Sequence, residues 1–359
     1  MDLRVNHSSR LNFLRGIAVL LVVSVHASQI VGNGDQASNW VVPISKNFLD
    51  FGARGVQIFF ILSAFSLAKS YEGHSEKPIR SFYARRFFRI YPVWIFAVFI
   101  HVMIENKAQV FIQNATFAFG WLRGNENNPE IVGGSWTLFV EVIFYILFPL
   151  LFPIAKHTKT LLSLILFFIV LRILWLKSAE EMFGIEDRNS FVGLHPFSNM
   201  YCFTLGLLIY NQMSEVRLKR LNITPMIILL LVISIILELD QTLQVLLTSF
   251  LMYNFLEKSP TKSSALFSKP AKLIEFFGKY AFTIYLYHLL ILKKGSGLLI
   301  RVTENIPYME IKFLVSMPIV LSLLFILGCL GYQFLEKPSI KIGAVFSSKF
   351  LKPKGLTNA

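Results

Sequence analysis

The sequence predicts an all-α polytopic membrane protein, with about ten transmembrane helices and both termini in the cytoplasm. Three observations carry this. The 359 residues are 54% hydrophobic and only 16% charged, with mean hydropathy +0.58, which is too apolar for a soluble domain. Apolar runs of about seventeen residues or more recur along the chain. Lys and Arg concentrate in alternate connecting segments, the asymmetry expected of cytoplasmic loops.

The runs, in order, cover 12–30, 55–71, 88–104, 137–154, 160–176, 194–212, 224–239, 241–256, 276–292 and 313–334. The first holds Arg15 near its start and His26 near its end. The third is opened by the basic stretch "YARRFFRIYP" and the fourth by "GGSWTLFVEVIFY". The acidic turn "ELDQ" separates the seventh from the eighth, and the ninth contains "YAFTIYLYHLLIL". A weaker run, 110–122, is too short and polar to cross. An even number of spans returns the C-terminus to the side of the N-terminus, and the basic segments then face the cytoplasm. The basic start, apolar run and "VHA" also fit a signal peptide cleaved after Ala27. The charge pattern works with the first helix retained, and we read it so. Residues 9–340 form one membrane domain and 341–359 a short basic tail.

Composition also excludes. The net charge of +14 is accounted for by cytoplasmic loops, and no basic face of a nucleic-acid-binding fold is visible. Cys202 and Cys329 both fall in apolar runs and imply neither a disulfide framework nor a metal site. No internal repeat supports the architecture common among secondary transporters.

Ionisable residues within spans are costly and are functional candidates. At 1.5 Å per residue, Arg15 and His26 are roughly 16 Å apart along a helix axis, which places His26 in the outer half. Glu141 enters from outside to a similar depth, and His288 also lies in the outer half. Two histidines and a carboxylate are therefore expected in one layer. Arg85 and Arg89 share a helix face by their i,i+4 spacing, and Arg86 adds a third guanidinium. Planar guanidinium forks suit phosphate. Each residue alone has a plainer reading. The arginines serve equally as inner-face anchors, His26 as a helix-packing donor, and Glu141 as a partner of Arg172. Arg172 itself is expected to snorkel outward.

Together these residues resemble the acyltransferase-3 family of integral membrane acyltransferases. Arg15 and His26 match its Arg-x10-His pattern, "FFILSAF" its FFxLSGF pattern, and Arg85 and Arg89 its Arg-x3-Arg pattern. "WTLFVEVIFYILFP" supplies Trp136 and Glu141, "YLYH" ends on His288, and Glu336 and Pro338 complete a terminal E-x-P. Ala64, Thr137, Ala281 and Phe282 depart from the family's usual residues.

The resemblance implies an O-acyltransferase, most often an O-acetyltransferase, of the bacterial inner membrane. Its donor is cytoplasmic acyl-coenzyme A, usually acetyl-coenzyme A, and no metal is implied. Its acceptor is a hydroxyl of an extracytoplasmic or lipid-linked glycan such as O-antigen, lipopolysaccharide or capsule. Arg15, Arg85, Arg86 and Arg89 would hold the donor phosphates. His26 would be the catalytic base, either deprotonating the sugar hydroxyl or first accepting the acyl group. Glu141 would orient the imidazole. Trp136 and His288 would support the site or the acceptor. The partners implied are acyl-coenzyme A, a carbohydrate and the bilayer, with no nucleic acid. A transporter of an anionic substrate, or an acyltransferase acting on lipid or protein, uses the same residue types.

Overall fold

A computed structural model describes residues 2–31, 42–72, 79–121, 130–183, 191–214, 223–257 and 269–350. Among these residues every regular element is a helix. The principal helices are α1 (Asp2–Val31), α2 (Pro43–Asp50), α3 (Gly55–Glu72), α4 (Ile79–Glu105), α5 (Phe111–Ala115), α6 (Trp136–Leu151), α7 (Thr158–Phe183), α8 (Phe191–Leu194), α9 (Pro196–Ser214), α10 (Thr224–Ile236), α11 (Gln241–Glu257), α12 (Lys269–Lys279), α13 (Ala281–Thr303), α14 (Met309–Gly331) and α15 (Lys337–Phe350).

By length and composition, six described segments can cross a membrane: Ser8–Val31, Ile44–Glu72, Ile79–Glu105, Thr158–Ser178, Val192–Ser214 and Met309–Ser348. Trp136–Leu151 and Thr224–Ile236 are shorter apolar helices. The chain is an all-α membrane protein. Of the remaining predicted runs, 241–256 is α11, while 276–292 is not one helix. It breaks at Tyr280, whose backbone (φ −105, ψ 8) is not helical. The second piece, α13, then runs on through "KKGSGLLIR", which reads as a loop. Within the run 110–122, the described residues 110–121 form short turns: the end of the 3-10 turn Ala108–Val110, α5 and the 3-10 turn Ala118–Trp121. Parts of the loops at 31–54, 105–136 and 177–193, and the tail beyond 350, lie outside the described residues.

The chain divides into two compact units, with the divides falling inside α3, α9 and α14. One unit comprises Met1–Ser63 and Gln212–Gly328, the other Ala64–Asn211 and Cys329–Ala359.

In the first unit, α1 is held by backbone approach. A Cβ on Gly278 would overlap the carbonyl oxygen of Asn12, and one on Gly16 would overlap that of Ile274. Thus α1 and α12 cross glycine against backbone, as membrane helices do when small residues line their contact. Arg10 fixes the start of α1. Its Nη1 donates to the carbonyls of Phe255 (3.2 Å) and Leu256 (3.3 Å) at the end of α11, and the guanidinium lies over the Phe255 ring. Helix C-terminal carbonyls are partly negative acceptors, so Nη1 of this buried arginine ties α1 to the end of α11.

In the second unit, α15 packs along α4. Pro92 lies inside α4 and cannot donate to the carbonyl four residues back, that of Phe88. Ser339 Oγ donates to that carbonyl instead. Gly343 lets Phe88 approach, and Phe346 contacts the same ring. The basic segment after 340 is therefore a packed helix as far as Phe350. Arg172 does not snorkel. It is 8% exposed, donates to the Ser198 carbonyl at 2.9 Å and lies over the Tyr201 ring. A carbonyl and a ring face inside the protein satisfy a guanidinium without drawing it out of the apolar region.

Candidate active site

The predicted site residues fall in both units. Arg15, His26 and His288 belong to the first, and Arg85, Arg86, Arg89, Trp136 and Glu141 to the second.

In the first unit the structure brings the two histidines together. Their ring centroids are 5.3 Å apart, with the planes tilted by 38°. His26 Nδ1 faces Gln29 Oε1 at 3.0 Å, one turn further along α1. An amide oxygen only accepts, so Nδ1 carries the hydrogen and Nε2 the lone pair. His288 is 0% exposed. Its Nδ1 donates to the Tyr285 carbonyl at 2.6 Å, so its lone pair is also on Nε2, a buried atom with no hydrogen-bond partner among the described residues. An unsatisfied buried polar atom costs about 1–3 kcal/mol. Tyr285 in turn meets Phe59, the first aromatic of "FFILSAF", edge to face at 6.0 Å. Arg15 Nη1 donates to Asn12 Oδ1 at 3.3 Å.

In the second unit the arginines lie well inside a helix. α4 begins at Ile79, so Arg86 is two turns in, where the sequence suggested the helix mouth. Tyr83 Oη donates to the Ile146 carbonyl at 3.1 Å and sets the register of α4 against α6. One turn on, the Arg86 guanidinium lies 5.9 Å from the Tyr145 ring centroid. Tyr145 Oη donates to Glu141 Oε1 at 2.5 Å. Arg89 is within electrostatic reach of Tyr145. Arg85 Nη1 donates to Ser81 Oγ (2.5 Å) and to Ser347 Oγ on α15 (3.0 Å). The N–H of Trp136 donates to Glu130 Oε1 at 3.0 Å, and that carboxylate also accepts from Ser135 Oγ. An acidic side chain at a helix N-terminus satisfies its open donors, so Glu130 anchors the start of α6 five residues before Glu141.

The sequence reading missed Gln29 and Tyr145. Both had a signal in the chain: Gln29 is three residues from His26, and Tyr145 four from Glu141, the spacings that share a helix face.

These motifs recur in known proteins. The acyltransferase-domain model of the acyltransferase-3 family matches residues 8–332. The chain belongs to the acyltransferase-3 family. Nodulation protein 10 of Rhizobium leguminosarum bv. viciae is 25% identical over 227 residues, which are 56% of this chain and 59% of the relative. Acyltransferase MdmB of Streptomyces mycarofaciens is 29% identical over 171 residues, 44% of this chain and 42% of that protein. The chain thus spans about half the length of these curated relatives. No solved structure matches it. The acyltransferase-3 match ends before α15, the helix whose Ser347 braces Arg85.

Proposed function

We propose that this membrane acyltransferase moves an acyl group, acetyl in the first instance, from cytoplasmic acyl-coenzyme A to a hydroxyl of an extracytoplasmic or lipid-linked glycan such as O-antigen or capsule. In this reading about ten helices cross the bacterial inner membrane, with both termini cytoplasmic. His26 is the base. Its Nε2 takes the proton of the acceptor hydroxyl as that oxygen attacks the thioester carbonyl. The carbon–sulfur bond then breaks, and the proton passes to the leaving coenzyme A thiolate. Glu141 supports the charged imidazole. Arg15, Arg85 and Arg89 hold the donor phosphates, with guanidinium geometry as the reason for arginine. Trp136 and His288 support the site.

The observation that carries this reading is the state of His26: Nδ1 is committed to Gln29, leaving the lone pair on Nε2. The family match and the name of the Streptomyces relative, an acyltransferase, support the reaction class.

The test uses membranes containing the protein, radiolabelled acetyl-coenzyme A and the host's envelope glycans. Label in the glycan, and none with membranes lacking the protein, is the expected result. Label in lipid or protein would move the acceptor to that class. An absence of covalent product with any acyl donor would favour a transporter.

A further inference from the structure

The contacts around α6 reach beyond the roles assigned above. Glu141 and Tyr145 lie on one face of the helix by their spacing of four. Tyr145 is 7% exposed, and its hydroxyl is committed to Glu141 Oε1. Its ring carries the Arg86 guanidinium on one face, and Arg86 is within electrostatic reach of Glu141 itself. The Nε of Arg86 is buried with no hydrogen-bond partner among the described residues, but the guanidinium is also hydrogen-bonded to the Tyr145 side chain, so it reaches the carboxylate by charge and through Tyr145.

We infer that Tyr145 is a positioning residue for Glu141, and that Arg86 is the counter-charge of that carboxylate rather than a ligand of the donor's phosphates. A carboxylate free to rotate about its last bond loses directionality. Fixing Oε1 with a hydroxyl points Oε2 in one direction, which a group orienting an imidazole requires. A nearby guanidinium favours the ionised carboxylate inside an apolar region. Arg86 thus separates from its neighbours: Arg85 is braced by two serines, whereas Arg86 turns toward the Tyr145–Glu141 pair.

This rests on Glu141 acting in catalysis, and the experiment separates the two. Acetyl transfer is measured in membranes for wild type, Tyr145→Phe, Glu141→Gln and the double variant. Tyr145→Phe keeps the ring beneath Arg86 and removes only the hydroxyl. It is expected to lower kcat about ten- to a hundredfold with KM for acetyl-coenzyme A unchanged. The double variant should be no slower than Glu141→Gln alone. Arg86→Lys should likewise lower kcat, whereas Arg85→Lys and Arg89→Lys should raise KM for acetyl-coenzyme A. A wild-type rate in Tyr145→Phe beside an inactive Glu141→Gln overturns the inference and leaves the catalytic reading standing. Losses that add in the double variant also overturn it. A wild-type rate in Glu141→Gln overturns both. Difference infrared spectra of the purified protein judge the contact without activity. Tyr145→Phe minus wild type should show a shifted carboxylate band that vanishes in the Glu141→Gln background, and an unshifted band contradicts the inference.

Discussion

The imidazoles of His26 on α1 and His288 on α13 lie 5.3 Å apart, centroid to centroid, each with its Nδ1 committed to an oxygen acceptor. Both rings therefore have their basic nitrogen at Nε2. His288→Phe keeps an aromatic ring but removes that nitrogen. It is expected to lower acetyl transfer about tenfold or more, read as the initial rate per folded protein. An unchanged rate would make His288 a packing residue.

Gln29 holds the hydrogen-bearing nitrogen of His26 at 3.0 Å. Gln29→Leu removes the acceptor that fixes the tautomer, and kcat should fall about tenfold, the lower range for groups that orient a working imidazole. Gln29→Glu keeps an acceptor and should retain most of the rate. Because neutral His26 is the working form, the wild-type rate should rise with pH across the acidic range and be lost at its low end. A pH–rate profile flat across that range would remove an imidazole base.

Pro92 leaves the Phe88 carbonyl without its helical donor, and Ser339 fills the gap. Ser339→Ala should destabilise the protein by about 1–3 kcal/mol, because a buried acceptor is left unpaired. Pro92→Ala restores the α4 donor, so Ser339→Ala should cost much less in that background. Thermal unfolding in detergent of the four proteins of this cycle measures the difference. Equal costs in both backgrounds would contradict the account of α4.

At Gly278, any Cβ meets the Asn12 carbonyl of α1. Backbone cannot yield as a flexible side chain can. Gly278→Leu should therefore abolish folding or cost at least about 3 kcal/mol, read as the yield of monodisperse protein. Normal yield and unfolding temperature would show that α12 can move away from α1.

The same contact explains what the sequence could and could not disclose. The long apolar runs were legible because a bilayer sets their length. The break at Tyr280 was not, because the apolar run resumes directly after Gly278 and Lys279, and the close approach of Gly278 to α1 is visible only in the fold. The extension of α13 was masked by Lys293, Lys294, Gly295 and Gly297, residues that read as loop; the glycine Cβ positions meet nothing within 4 Å, so only backbone propensity opposes the helix there. Helix α15 did have a signal. Ser339, Gly343 and Ser347 recur every four residues, the small-residue spacing of packed membrane helices, and each meets α4. Arg172 was misread because hydropathy gives its depth but not the Ser198 carbonyl waiting beside it. Of the site, the motif residues were legible singly. The pairing of His26 with His288 needed the fold, since 262 positions separate them, while Tyr145 could have been read from its spacing to Glu141.

The most direct measurement is radiolabelled acetyl transfer from acetyl-coenzyme A to envelope glycan by membranes holding equal amounts of folded wild type and His26→Ala. The account predicts label with wild type and a loss of about a hundredfold or more with the variant. Equal labelling by both would contradict the assignment of His26 as the base.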